Sequence, residues 1–372
     1  MAKIKLSPKK RNILIVSVIL LIIMGYFLFN RFMPMRLSEE PIALPSDASG
    51  AYQLFVLDNQ LIVANSKGVM CYDDEGEYTW ECPVKTASPF MEFAEESIIL
   101  ADTKNSEIYR IEEGKVKKTI SEGHEVAGIA VNQNGYVAVV TKEPGYKSVV
   151  KVYNKSGKCV YQWSSGSIYV TAVALSQNDK YMVVAGIDPT AKDMNTSLKF
   201  FDLSKEKPMG EAQIKDALAF KIIYDTKEAY VLSEKGLYRY TKEGKRTDTY
   251  DFEGKRLNAF CMKNKDEIAV ALSRTDNSGA TLSGSEIIVF DDELDVESTA
   301  EVDFTAETMD CNDGYVAAAG LNQVIVMHNG GTVKVKGTLK SECETICLFE
   351  DGDRIATLSE GTVYIYELEY DF

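Results

Sequence analysis

Histidine is nearly missing from this chain: among 372 residues only His124 and His328 carry an imidazole. A Ser–His–Asp triad or a Cys–His pair would have to rest on one of them alone. Both are expected in solvated loops on opposite faces of the fold, His124 between two repeat units and His328 in a hairpin turn. Proline (9) and glycine (25) are too sparse for a collagen-like or broadly disordered chain. Base is scarce as well. Net charge is −15, and residues 1–36 take seven of the cations (Lys3, Lys5, Lys9, Lys10, Arg11, Arg31, Arg36) with no acid. The remainder sets 34 bases against 56 acids, a net −22. A body so acidic argues against nucleic acid as a partner, because phosphate binding needs basic surface.

Motifs that hold metals or phosphates are missing too. Gly279-Ala-Thr-Leu-Ser-Gly284 lacks the lysine of a phosphate loop. The acidic runs Asp73–Glu75, Asp291–Asp295 and Glu350–Asp353 do not match the spacing of a calcium loop, and all three fall where hairpin turns are expected. Seven cysteines, an odd number, cannot all pair within the chain. Cys343-Glu-Thr-Ile-Cys347 is not a CxxC and has no histidine nearby, so zinc is not expected there. Most of the seven occupy strand positions, where cysteine serves as a small apolar residue; a bridge between Cys71 and Cys82, on adjoining strands of one hairpin, is the minor alternative. No catalytic, metal or cofactor residue is therefore expected.

One long apolar run is present. Ile13–Phe29 (ILIVSVILLIIMGYFLF) carries no charge. As a helix at roughly 1.5 Å per residue it reaches about 25 Å, close to the hydrocarbon thickness of a bilayer. It exceeds a usual signal-peptide core, and FLFNRFMPM offers no small-residue cleavage site. The first cysteine is Cys71, too far along for a lipid-modified cysteine beside the run. An uncleaved signal-anchor is the expectation. Five bases precede it and two follow, which places the N-terminus in the cytoplasm and the remainder outside the cell membrane. The expected organisation is a cytoplasmic tail (1–11), a transmembrane helix (12–30), a linker (31–50) and an extracytoplasmic domain (51–372).

That domain is repetitive. Tyr72-Asp-Asp-Glu-Gly76, Tyr153-Asn-Lys-Ser-Gly157 and Tyr240-Thr-Lys-Glu-Gly244 share one pattern; Ile111–Gly114 and His328–Gly331 are shortened copies. In each a strand ends, glycine supplies the positive φ of a tight turn, and a polar strand follows. Upstream, polar turns precede small β-rich runs in NQNGYVAVV (132–140), QNDKYMVVA (177–185), KNKDEIAVA (263–271) and CNDGYVAAA (311–319). Unit starts near Tyr52, Phe90, Val126, Tyr169, Leu218, Leu257, Glu307 and Glu344 recur at 36 to 50 residues. Four-stranded units at that period predict an all-β β-propeller, with eight blades favoured over seven. The last unit ends at Phe372 with three clear strands. Residues near Leu37–Leu44 are candidates for its outer strand, where Pro41 is tolerable on a free edge.

Leu61–Glu81 (LIVANSKGVMCYDDEGEYTWE) resembles the repeat of pyrroloquinoline-quinone-type, BamB-like propellers: strand, glycine, aromatic strand, glycine turn, then Trp80. The whole layout, a basic tail, one helix and an acidic propeller, also resembles an uncharacterised family of membrane-anchored propellers of clostridia-like Gram-positive bacteria. Neither resemblance implies an activity, and no quinone-binding residue carries over.

Three loops between second and third strands outgrow the scaffold: Lys142–Lys147, Ile187–Ser197 and Ser273–Ser285. Oversized loops on a rigid frame are where binding residues collect. Asp188, Lys192, Asp193, Asn195, Arg274, Asp276 and Asn277 are the candidate contacts. The expected role is a protein-interaction or scaffold module at the cell envelope, its partner an envelope protein, a peptide or a cell-wall polymer. Two alternatives are a metal-dependent hydrolase or lactonase in the central channel, using inner-strand residues such as Asp310 and Asn258, and the ligand-binding subunit of a membrane sensor. The eleven-residue tail leaves no room for an output domain, so a sensor would need a partner helix.

Overall fold

The structure, a computed structural model, describes residues 16–22, 24–25, 35–44, 53–95, 97–276, 279–350 and 352–370. Among these, 33 strands form eight antiparallel sheets. Seven sheets take four consecutive strands each, in the meander order of a propeller blade. The inner strands are Gln53–Leu57, Pro89–Ala94, Glu125–Val131, Tyr169–Leu175, Ala219–Tyr224, Arg256–Met262, Thr308–Asn312 and Thr345–Leu348, which number blades 1 to 8. The chain is an eight-bladed β-propeller.

Burial explains the composition of each strand. Second strands are covered on both sides and read as unbroken apolar runs; Ser97–Asp102 (SIILAD) and Ile268–Ser273 (IAVALS) are buried throughout. Outer strands face solvent and are polar, as in Lys115–Ser121 (KVKKTIS) and Arg246–Asp251 (RTDTYD). The core is correspondingly eight separate clusters, one between each pair of neighbouring blades.

The ring has two unlike ends. First-to-second and third-to-fourth turns emerge at one end, here the turn face. Second-to-third loops and blade-to-blade connections emerge at the other, the loop face. On the turn face, Gly76, Gly114, Gly157, Gly244 and Gly331 all take positive φ, between +70° and +84°. The residue that follows the third strand caps its own turn. Asp73 Oδ1 accepts from the Glu75 and Glu77 amides, and Asp291 Oδ1 from those of Glu293 and Asp295. The glycines are needed a second time. A Cβ on Gly114 would meet Trp80 of blade 1, one on Gly157 would meet Lys118 of blade 2, and one on Gly331 would meet Ser298 of blade 6. Each turn thus seats a side chain from the outer strand of the preceding blade.

Blade 8 is completed from the other end of the chain. Met35–Leu37 pairs with Leu368–Tyr370, and Ile42–Ala43 with Tyr364–Ile365. Ser38–Pro41 bulges against two residues of the long third strand Thr362–Tyr370. Leu37 and Leu44 are buried on either side, against the neighbouring blades 7 and 1. Gly337 makes room for Leu37, and Gly76 for Ile42 and Leu44.

Four cysteines, Cys71, Cys82, Cys343 and Cys347, are free and serve as buried apolar side chains. Cys71 and Cys82 are both buried and unbridged. Cys71 stands opposite Trp80 and Cys82 opposite Val69, so the two thiols do not face one another across the hairpin. The disulfide instead joins Cys261 and Cys311 on the inner strands of blades 6 and 7, with Cα atoms 5.9 Å apart. Burial pushes the Cys71 thiol up to about 11, which leaves it unreactive near neutrality.

No helix among the described residues is long and apolar enough to cross a membrane. Residues 16–22 are helical and exposed. Most of the expected span 12–30, the tail 1–11 and candidate contact Asn277 lie outside the described residues.

Candidate functional site

Three regions could carry function: the axial channel, the turn face and the loop face. The channel holds a cavity of about 600 Å³ that opens among the inner turns, between residues such as Gln133, Gln177 and Asn264. Both lysines that line it are paired with carboxylates. Lys221 of blade 5 lies 3.9 Å from Glu92 of blade 2, bridging non-adjacent blades. Lys263 Nζ lies 2.8 Å from Asp310 Oδ1 and 5.3 Å from the centre of the Phe55 ring, which stacks on Phe93. Burial pushes the Glu267 carboxyl up, and nearby Asp310 adds to the shift.

The two residues of the channel-enzyme reading are engaged elsewhere. Asp310 Oδ2 accepts from the Leu348 amide at 2.8 Å, and Asn258 Nδ2 donates to Ser273 Oγ at 2.5 Å. No group of three or more His, Cys, Asp or Glu among the described residues could hold a metal ion. The histidines sit apart. His124, at the loop face, is 3.9 Å from Glu143, whereas His328, at the turn face, stacks against Tyr315.

On the turn face, polar side chains reach from blade to blade. Asn132, fully buried, donates to the Ser176 carbonyl at 2.9 Å and to Asp179 Oδ1 at 2.6 Å. Asn178 donates to the Thr226 carbonyl, Asn312 to that of Leu348, and the Glu350 amide donates to Asn59. Glu267 Oε1 accepts from the Asp313 amide at 3.0 Å. These contacts link inner turns of successive blades.

The loop face is built in two layers. Beneath the surface, the hydroxyl at the start of a third strand accepts from the inner-strand region of the next blade. Ser148 takes the Val170 amide, Thr196 that of Ala219 and Ser285 that of Ala306. Buried Asp102 gathers the amides of Ala87, Ser88, Lys104 and Asn105. Burial alone would raise its carboxyl, but these hydrogen bonds outweigh that and hold it below the usual range. Between blades 2 and 3, Lys151 Nζ lies 2.8 Å from Glu122 and 2.9 Å from Glu143.

Above that layer stand the long loops, and their polar residues divide by task. Asp188 accepts from Thr190 Oγ1 at 2.7 Å and the Thr190 amide at 2.9 Å; the hydroxyl, then the amide, lowers its carboxyl. Asp276 caps the Ala280 amide, and Asn195 accepts from Asp216 in the following connection. These three shape loops. Lys192, Asp193 and Arg274 are exposed. The blade 4 and blade 6 loops stand on either side of blade 5, so the candidates form two stations.

The sequence reading passed over the apolar members of this face. Tyr146, Tyr169, Met194, Leu282 and Leu321 are all exposed, Met194 by 61% and Leu321 by 60%. They sit at loop-face positions of blades 3, 4, 6 and 7. A large apolar side chain inside an otherwise polar loop was the signal available.

The crystal structure of BamB from Moraxella catarrhalis superposes with a TM-score of 0.53 and 12% identity, covering 89% of this chain and 99% of that one. At that identity the likeness shows the fold alone. No curated protein matches in sequence. A model of a family of unknown function (DUF5711) matches residues 42–368.

Proposed function

The chain belongs to DUF5711, and we propose that it acts as a membrane-anchored, extracytoplasmic protein-interaction module whose loop face holds the partner. A BamB-like propeller is consistent with such a role. Residues 12–30 provide the anchor, residues 1–11 remain in the cytoplasm, and the propeller stands outside the cell membrane. The charge-free run Ile13–Phe29 and the five bases before it support this topology.

One observation carries the choice of face. Solvated apolar side chains gather on the loops of blades 3, 4, 6 and 7, interleaved with Lys192, Asp193 and Arg274. Apolar anchors within a polar surround are the make-up of a protein-binding patch. A protein segment of the envelope fits this surface better than a cell-wall polymer, which offers little apolar area. We propose no enzymatic activity, since the channel carboxylates Glu92 and Asp310 are each taken up by a lysine.

Deletion of Asp188–Asn195 in the full chain, read by in-cell crosslinking with mass spectrometry, tests this. Loss of a discrete crosslinked partner is expected; an unchanged partner set contradicts the assignment. Reporter fusions at residue 50 check the topology, and activity only on the cytoplasmic side overturns the localisation.

A further inference from the structure

The direction of the closing strand determines which side of the ring stands next to the anchor. Met35 lies opposite Tyr370 and Ala43 opposite Tyr364, so this strand runs from the turn face toward the loop face. The chain therefore enters the propeller at the turn-face edge of blade 8. Only residues 31–34 separate Met35 from the proposed membrane segment. Four residues cover at most about 14 Å even when fully extended. That edge cannot leave the bilayer surface.

An independent pattern marks the same side of the ring. Tyr78, Val116, Val160, Val296 and Val333 are exposed apolar residues on the outer strands of blades 1, 2, 3, 6 and 7. Each lies at or next to the first pair after the third-to-fourth turn, as in Tyr72↔Tyr78, Ile111↔Val116, Phe290↔Val296 and Met327↔Val333. They are therefore at the turn-face end of the outer wall. The arc runs through blades 6, 7, 8, 1, 2 and 3 and centres on the point where the chain enters. Blades 4 and 5, on the far side, begin their outer strands with Gly210 and Arg246 instead.

We propose that this arc is a bilayer-contact edge: the propeller rests its turn-face rim on the lipid surface, blades 8 and 1 nearest, and holds the loop face away from it. The inference rests on the anchored topology proposed above. Lone apolar side chains spaced around a curved edge suit shallow insertion into an interfacial zone, whereas a second protein copy needs a contiguous patch. Exposed Lys115, Lys117 and Lys118 flank Val116 and can reach lipid phosphates with their stems against the wall.

The test uses the full chain in phosphatidylcholine vesicles, with Cys159→Ser removing the exposed thiol and bimane placed at Val116→Cys, Val333→Cys, Arg246→Cys or Leu321→Cys. Flotation of the vesicles is scored first; a chain that does not co-float overturns the anchoring reading itself. Among co-floating samples, doxyl-lipid quenching several-fold stronger at 116 and 333 than at 246 and 321 is expected. Equal quenching at all four, or quenching strongest at 321, overturns the orientation while leaving the anchor standing. A bimane spectral change at 116 and 333 without lipid quenching assigns the arc to a second copy and also overturns it.

Discussion

The two ends of the ring use polar side chains differently. On the turn face, Asn132, Asn178, Asn312 and Glu267 bond to neighbouring blades. On the loop face, the cross-blade bonds sink to a buried layer of Ser148, Thr196, Ser285 and Asp102, while the loops above satisfy their polar groups mainly within themselves. On the loop face structural duty and exposure are thus separated by depth, whereas on the turn face the bonding residues, buried Asn132 and half-buried Asn178, Asn312 and Glu267, belong to the turns themselves. A face whose outermost layer makes few bonds beyond its own loops, Asn195 to Asp216 among them, can change most of its side chains without opening the ring. That is the physical basis for assigning recognition to it.

The sharpest perturbation of this contrast is to the wall shared by both faces. Replacing Cys261 and Cys311 by serine opens a link across 50 residues, for which chain entropy gives a loss of about 4 kcal/mol. Denaturant unfolding with and without reductant should show that loss in the parent and none in the double variant. Next comes the turn face: Asn132→Ala strips the Ser176 carbonyl and the Tyr136 amide of their partner, and a cost of about 2–3 kcal/mol is expected. A loss below experimental error would mean that the turn face is not held by its side chains.

The buried layer of the loop face should respond to pH. Asp102 sits below its unfolded value, so the stability it contributes is complete above about pH 4 and falls away as acid protonates the folded carboxylate. Asp102→Ala is expected to lose about 2 kcal/mol near neutrality. Asp102→Asn should flatten the acid limb of a stability–pH profile, and a parallel profile would refute the role given to the charge. The smallest effect belongs to the exposed layer. Met194→Ser and Leu321→Ser should change stability by less than about 0.5 kcal/mol while weakening partner capture.

Much of the scaffold was legible because its signals are local. Glycine four residues after a strand-ending tyrosine demands the positive φ that Gly76, Gly157 and Gly244 adopt. Doubly covered second strands cannot avoid reading as apolar runs. The repeat was hidden in blade 6, where Leu294 takes φ +65° at the position glycine holds elsewhere. The Cys261–Cys311 bridge was illegible because it joins strands of different blades, 50 residues apart in the chain. The hydroxyls of Ser148, Thr196 and Ser285 likewise look like ordinary strand ends until the next blade is placed beside them. At the candidate site, loop length singled out the blade 4 and blade 6 loops but not how their side chains are used. Asp188, Asn195 and Asp276 turned out to shape the backbone, and the apolar tips Tyr146, Met194 and Leu321 escaped a search for polar contacts.

The division of labour between the faces is tested most directly by photo-crosslinking from both in intact cells. A photoreactive residue is placed singly at Met194, Leu282 or Leu321 on the loop face, and at Gln133, Gln177 or Asn264 on the turn face. Discrete protein adducts from the first three positions alone are the predicted result. Adducts of equal yield from the second three, or from those only, would contradict the account.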